Sequence, residues 1–184
     1  MSFVHAVLRN RGEHEIILAL NGLFPHTIEP IRSAFDDLLP QKNIRVWYAP
    51  GPVRESEPEN ENRREVAELI REAFIASLRP DVVHISSLFE GYLDDAVISI
   101  GKFDKHTPVC VSFYDLIPLL NSDHYLKPYP IYARYYQRRI DYLKLSVGFL
   151  AISEFTRQEC IAHLGVPESR VTNVSAAVEP QFKV

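Results

Sequence analysis

Two apolar runs in this chain end in residues able to do chemistry. Val109–Phe113 leads into Tyr114-Asp115-Leu116-Ile117-Pro118, and residues 149–152 lead into Ser153-Glu154-Phe155-Thr156-Arg157. A carboxylate among Phe113, Tyr114, Leu116 and Ile117 must find donors or shift its pKa, and such places are often sites. A plain turn also accounts for Asp115 and Pro118. Ser153 has the position of a helix N-cap, with Glu154 favoured in the first turn. The same turn offers free N–H groups to an anion, with Arg157 as a forked donor. A third cluster, Ser87, Glu90 and Gly91, follows the short run 82–85. It reads either as a Ser87/Glu90 capping box or as part of a cleft in which Gly91 lets a ligand approach the backbone.

These clusters need elements to hold them. Phe3, Val4, Val7 and Leu8 have helical spacing ahead of Gly12, and 15–20 reads as the first strand. A helix follows from Thr27, with Ile31, Ala34, Phe35, Leu38 and Leu39 as its stripe, and then a strand at 43–49. Residues 50–61, rich in proline and acid, read as a surface loop. Asn62 with Glu65 suggests the cap of a long helix whose buried face is Val66, Leu69, Ile70, Ala73, Phe74 and Ser77. Strands are expected at 82–85, Val109–Phe113, 149–152 and 171–174. Helices are expected at 94–100, from Ile131 onward, and from Ser153 to Gly165. Such alternation implies an α/β fold with a mostly parallel, doubly wound sheet. In such a sheet, ligands sit beyond the carboxyl ends of the strands.

Composition narrows the function. The chain has 184 residues and a net charge of −4, which argues against nucleic acid as a partner. No apolar run approaches the roughly 20 residues of a membrane span. Glycine-rich nucleotide loops and the G-x-S-x-G elbow do not occur, and the seven histidines stand apart, so no metal site is expected. Cys110 and Cys160 read as reduced core thiols of a cytoplasmic protein. The tyrosine- and arginine-rich stretch (Tyr125, Lys127, Tyr129, Tyr132, Arg134, Tyr135, Tyr136, Arg138, Arg139) reads as a core helix with a solvated basic edge. A peripheral membrane contact is its alternative.

Three segments together, 81–91, 114–118 and 151–171, resemble the amino-terminal domain of GT-B glycosyltransferases. Within these they resemble the retaining group 1 family, which includes bacterial mannosyl- and rhamnosyltransferases of polysaccharide and lipopolysaccharide assembly. The resemblance covers 15–182 and implies a three-layer Rossmann-like domain, one half of a GT-B fold. It implies metal-independent hexosyl transfer to a growing polysaccharide or lipid-linked saccharide, without a bound cofactor. The donor, GDP-mannose or a dTDP-sugar, would be held mainly by a carboxyl-terminal domain through paired glutamates.

By that resemblance Asp115 and Tyr114 are the catalytic candidates, Tyr114 standing where relatives carry the histidine of H-D-x-x-P. Ser87, Glu90, Gly91, Ser153, Glu154 and Arg157 would bind substrate on the acceptor side. The chain would be a single domain over 1–184 lacking its first strand and its donor domain, inactive alone, with 174–182 as the crossover to that domain. It would work in the cytoplasm or at the inner face of the plasma membrane. A flavodoxin- or receiver-like interaction module, or a small hydrolase using Ser153, are the competing readings.

Overall fold

The computed structural model describes residues 2–176 and divides the chain into two compact units; the crossover expected at 174–182 lies mostly outside the described residues. Among these residues every strand pairing is parallel, the α/β class expected.

The first unit, within Met1–Pro50, contains α1 (Ser2–Arg9), β1 (Leu18–Asn21), α2 (Pro25–Ala34) and β2 (Ile44–Trp47). β1 and β2 pair in register from Leu18 opposite Ile44 to Asn21 opposite Trp47. Leu8, Phe35, Leu39 and Ile44 form its core, with Ile31 and Leu38 packed against it. The first strand starts three residues later than 15–20 suggests. α2 starts at Pro25, not Thr27, because proline suits the first helical position; Ala34 is exposed.

The second unit, Gly51–Ala177, is built on a four-stranded sheet in the order β3 (Val83–Ile85), β4 (Val109–Phe113), β5 (Gly148–Ala151), β6 (Val171–Asn173). Strand side chains alternate between faces. Ile85, Val111, Phe113, Phe149, Ala151 and Val171 therefore share one buried face. They pack on Tyr135, Tyr136, Ile140 and Leu143 of α6 (Pro130–Leu145) and on Cys160 and Leu164 of α7 (Glu154–Leu164). The short helices α4 (Ile117–Leu120) and α5 (Ser122–Tyr125) lead from β4 to α6.

Several expectations fail here, most of them because of partners distant in the sequence. The stretch 50–61 is not a surface loop. Val53, Glu55 and Asn60 are buried, and Glu55 and Ser56 donate backbone N–H bonds to the carbonyls of Gly91 and Tyr92, both at 2.9 Å. No helix forms at 94–100. The Asp94 carboxylate takes the Ala96 N–H at 2.8 Å, and that of Asp95 takes those of Val53 and Arg54 at 2.6 and 3.2 Å. These bonds compete with helical ones.

The long helix α3 (Glu61–Ser77) starts at Asn60 with no side-chain cap, so Asn62 and Glu65 form no capping box. Its buried face is Arg64, Ala67, Glu68 and Glu72, while Val66, Leu69 and Ser77 are exposed. The acids turn inward because partners await them. Lys102 lies 3.4 Å from Glu68, and Glu72 accepts the N–H groups of Phe103 and Asp104 at 2.5 and 3.2 Å.

The basic edge expected over this stretch is only partly solvated: Lys127 and Arg134 are exposed, but Arg139 of α6 is 1 % exposed and Arg138 is largely covered. Cys160 is buried as expected, but Cys110 is only half-buried.

Candidate functional site

β3, β4 and β5 are parallel neighbours, so their carboxyl ends open on one edge of the sheet. Phe113 pairs with Ala151, and the Ile152 N–H donates to the Phe113 carbonyl at 3.3 Å. The loops that carry Ser87, Asp115 and Ser153 thus leave the same rim, within the second unit.

A cleft of about 290 Å³ opens there, at the small end of ligand sites. Ser87 and Phe89 come from the loop after β3. Ser112, Tyr114, Asp115 and Pro118 come from the end of β4 and its turn, and Tyr132 and Tyr136 from α6. Asp115 Oδ1 accepts the Ile117 N–H at 3.0 Å, a local turn bond that aims the carboxylate. Ser87 Oγ donates to Glu90 Oε1 at 2.7 Å. With no helix over 86–92, this replaces the capping box. The aromatic wall is continuous: Phe89 and Tyr136 ring centroids are 4.9 Å apart, and Tyr132 and Tyr136 6.1 Å. Burial raises the phenol pKa values of Tyr132 and Tyr136, and the Asp115 charge pushes both further.

The other candidates stand outside the cleft lining. Gly91 has φ +88°, and a Cβ there would lie 2.2 Å from the Ala96 carbonyl oxygen, so packing explains this glycine. Ser153 caps α7, accepting the Thr156 N–H at 3.1 Å, and its Oγ lies 2.8 Å from Thr156 Oγ1. This bond to its own helix gives the hydrolase reading no support.

Arg157 donates to the Val171 carbonyl at 3.1 Å and pairs with Glu154 at 2.9 Å and with Glu168. Bonds from Gln158 and Arg157 hold the Glu154 carboxyl below its usual range. Together these bonds tie α7 to β6 and leave Arg157 little capacity for an outside anion.

Reading the sequence missed the residues behind the cleft. Arg139 donates to the Glu90 carbonyl at 2.8 Å, the Ile98 carbonyl at 3.1 Å and Glu55 Oε1 at 2.6 Å. It clamps the loop carrying Ser87 and Phe89 onto α6, the helix that supplies Tyr132 and Tyr136. Glu55 is also met by Arg138, and by Arg64 at 3.9 Å. The one available signal was two adjacent arginines inside an otherwise tyrosine-rich stripe. Among the described residues no group of three or more metal-ligating side chains occurs.

A parallel α/β unit with a polar, aromatic-walled cleft at the carboxyl edge of its strands has the plan of a domain that binds a ligand beyond the strand ends. The chain belongs to Glycosyltransferase Family 4, whose sequence profile matches residues 8–182. It is similar to proteins of Escherichia coli named serotype-specific mannosyltransferase WbdA. Two of these are 33% identical to it over 181 residues, 97% of this chain and 22% and 21% of theirs. The chain thus spans about a fifth of the length of these relatives. No solved structure matches it.

Proposed function

We propose that this chain is the acceptor-side part of a retaining mannosyltransferase, and that its cleft holds the saccharide to which the sugar is added. One observation carries this reading. The cleft lining contains the carboxylate of Asp115, the hydroxyls of Ser87 and Ser112 and five aromatic rings, but no lysine or arginine. A nucleotide diphosphate needs cations or a cradle of N–H groups, and Asp115 repels it. A neutral saccharide suits the lining: its C–H faces lie on the rings and its hydroxyls meet Asp115 and Ser87.

Asp115 orients the acceptor hydroxyl, and Tyr114, 51 % exposed at the mouth, covers it. Transfer passes through an oxocarbenium-like state, so it depends on holding that hydroxyl on the face from which the leaving phosphate departs and on excluding water. The donor, GDP-mannose or a dTDP-sugar, is bound mainly by a carboxyl-terminal domain of the longer protein, so 1–184 acts as one acceptor domain and transfers nothing alone. Ser153, Glu154 and Arg157 shape the rim beside the cleft, and Glu90 and Gly91 hold Ser87 in place. Work at the cytoplasmic face of the membrane is part of the same proposal, with the exposed Tyr125, Lys127, Tyr129 and Ile131 as the touching edge. No helix of the described residues is long and apolar enough to cross a membrane.

The test is calorimetric titration of the chain with an α-linked mannobiose and, separately, with GDP-mannose. Saccharide binding that is lost in Asp115→Ala, with no binding of GDP-mannose, supports the proposal. Tight GDP-mannose binding that Asp115→Ala leaves intact refutes it.

A further inference from the structure

Tyr136 sits 3 % exposed in α6 and lines the cleft. Its hydroxyl is buried without a hydrogen-bond partner among the described residues, and the nearby Leu119 backbone falls short of bonding geometry. A buried hydroxyl left unpaired destabilises a fold, and such groups are rare enough to need a reason. The ring is not free to swing away, since it packs on Phe89 and Tyr132. Asp115 is complementary: one oxygen accepts the Ile117 N–H, and the other has no partner among the described residues. An unused donor and an unused acceptor therefore line the same cleft. Both come from the lining of that one cleft, and burial together with the Asp115 charge raises the Tyr136 phenol pKa.

We propose that Tyr136 and Asp115 together recognise one hydroxyl of the bound saccharide, Tyr136 donating to its oxygen and Asp115 accepting its proton. A sugar hydroxyl is both donor and acceptor and so satisfies both groups at once. A phosphate oxygen is repelled by Asp115, and a methyl or deoxy position leaves both unpaired. Tyr136 is thus a specificity-determining residue, selecting a saccharide with a hydroxyl at one ring position. This rests on the acceptor reading of the cleft.

The experiment compares the 184-residue chain with Tyr136→Phe and Tyr142→Phe, titrating each with α-linked mannobiose by NMR and recording thermal melting. Tyr142 is the internal control. It lies on the same helix, is 6 % exposed, and its hydroxyl is also buried and unpaired, but it is not part of the cleft. Tyr136→Phe is expected to weaken mannobiose about tenfold, the effect of one hydrogen bond of upper-range strength. It should melt no lower than wild type, since the hydroxyl has no partner to lose. Tyr142→Phe should bind as wild type does. Equal affinity for wild type and Tyr136→Phe overturns this inference and leaves the acceptor reading standing. No binding of mannobiose by wild type removes both. A clearly lower melting point for Tyr136→Phe also overturns the inference, because it means that the hydroxyl is already satisfied within the fold.

Discussion

Replacing Arg139 by methionine separates what holds the cleft from what lines it. The guanidinium is 1 % exposed and makes a charge-assisted bond to Glu55 at 2.6 Å and bonds to the carbonyls of Ile98 and Glu90. Methionine fills much of the same space but donates nothing. The Glu55 bond contributes about 1.5–3 kcal/mol, and the part-buried Ile98 carbonyl, losing its Arg139 donor, costs about 1 kcal/mol. Two features soften the loss. Glu55 keeps Arg138, and the Glu90 carbonyl keeps a long bond from the Tyr135 hydroxyl at 3.4 Å. The net expectation is about 3 kcal/mol, at the low end of the range for breaking a buried ion pair. In urea, with a slope of about 2 kcal/mol per M, the midpoint should fall by about 1.5 M, read by far-UV circular dichroism. Native-state hydrogen exchange should locate the loss. The Glu55 and Ser56 amides, bonded to the carbonyls of Gly91 and Tyr92, should exchange faster, while amides within α7 keep their order of protection. Arg139→Lys should fall between, since its single ammonium keeps the charge but cannot span three acceptors. A midpoint within about 0.3 M of wild type, or unchanged exchange at Glu55 and Ser56, refutes the clamp.

Three further outcomes follow from single residues. Gly91→Ala should lose well over the ~1 kcal/mol expected of Gly165→Ala: both have positive φ, but only at Gly91 does a Cβ meet backbone, so equal urea midpoints would contradict the packing. Burial raises the Glu68 pKa above its ordinary 4.5, outweighing the pull of Arg138 and Lys102. The fold therefore favours the neutral acid, whose contribution is fully present below 4.5 and lost as pH rises through the raised value. The stability of wild type minus that of Glu68→Gln should fall in urea titrations as pH rises above 4.5, and a flat difference would refute this. Burial pushes the Cys160 thiol up to about 12, whereas Cys110 is only half-buried. An aromatic disulfide reagent at about pH 8 should label Cys110 first and Cys160 only on unfolding.

What could be read from the sequence divides by the range of the interactions involved. The strand Val109–Phe113 emerged with its bounds intact, and α7 with both ends, because apolar runs and caps are local chemistry. Ser153 bonds three residues away, and Gly165 alone turns the chain at φ +66°. α3 was found as a helix but turned the wrong way. Its apolar stripe is visible in the sequence, whereas the partners of its acidic stripe are not: Lys102 lies 34 residues from Glu68, and Phe103 lies 31 from Glu72. For the same reason 50–61 read as surface and 94–100 as helix, since Asp95 reaches back 42 residues to hold Val53.

The cleft shows the same division. Ser87 and Asp115 were found because a site in a parallel sheet lies just past the strand ends, a rule that needs only strand positions. Tyr132 and Tyr136 were visible as a stripe, but not as the wall facing Asp115. Groups that touch a ligand here sit on loops whose place is set by strand order, while the rigidity of those loops comes from charges buried two elements away. A change at Asp115 should therefore alter binding with little effect on stability, and a change at Arg139 should alter both, through the position of Ser87 and Phe89.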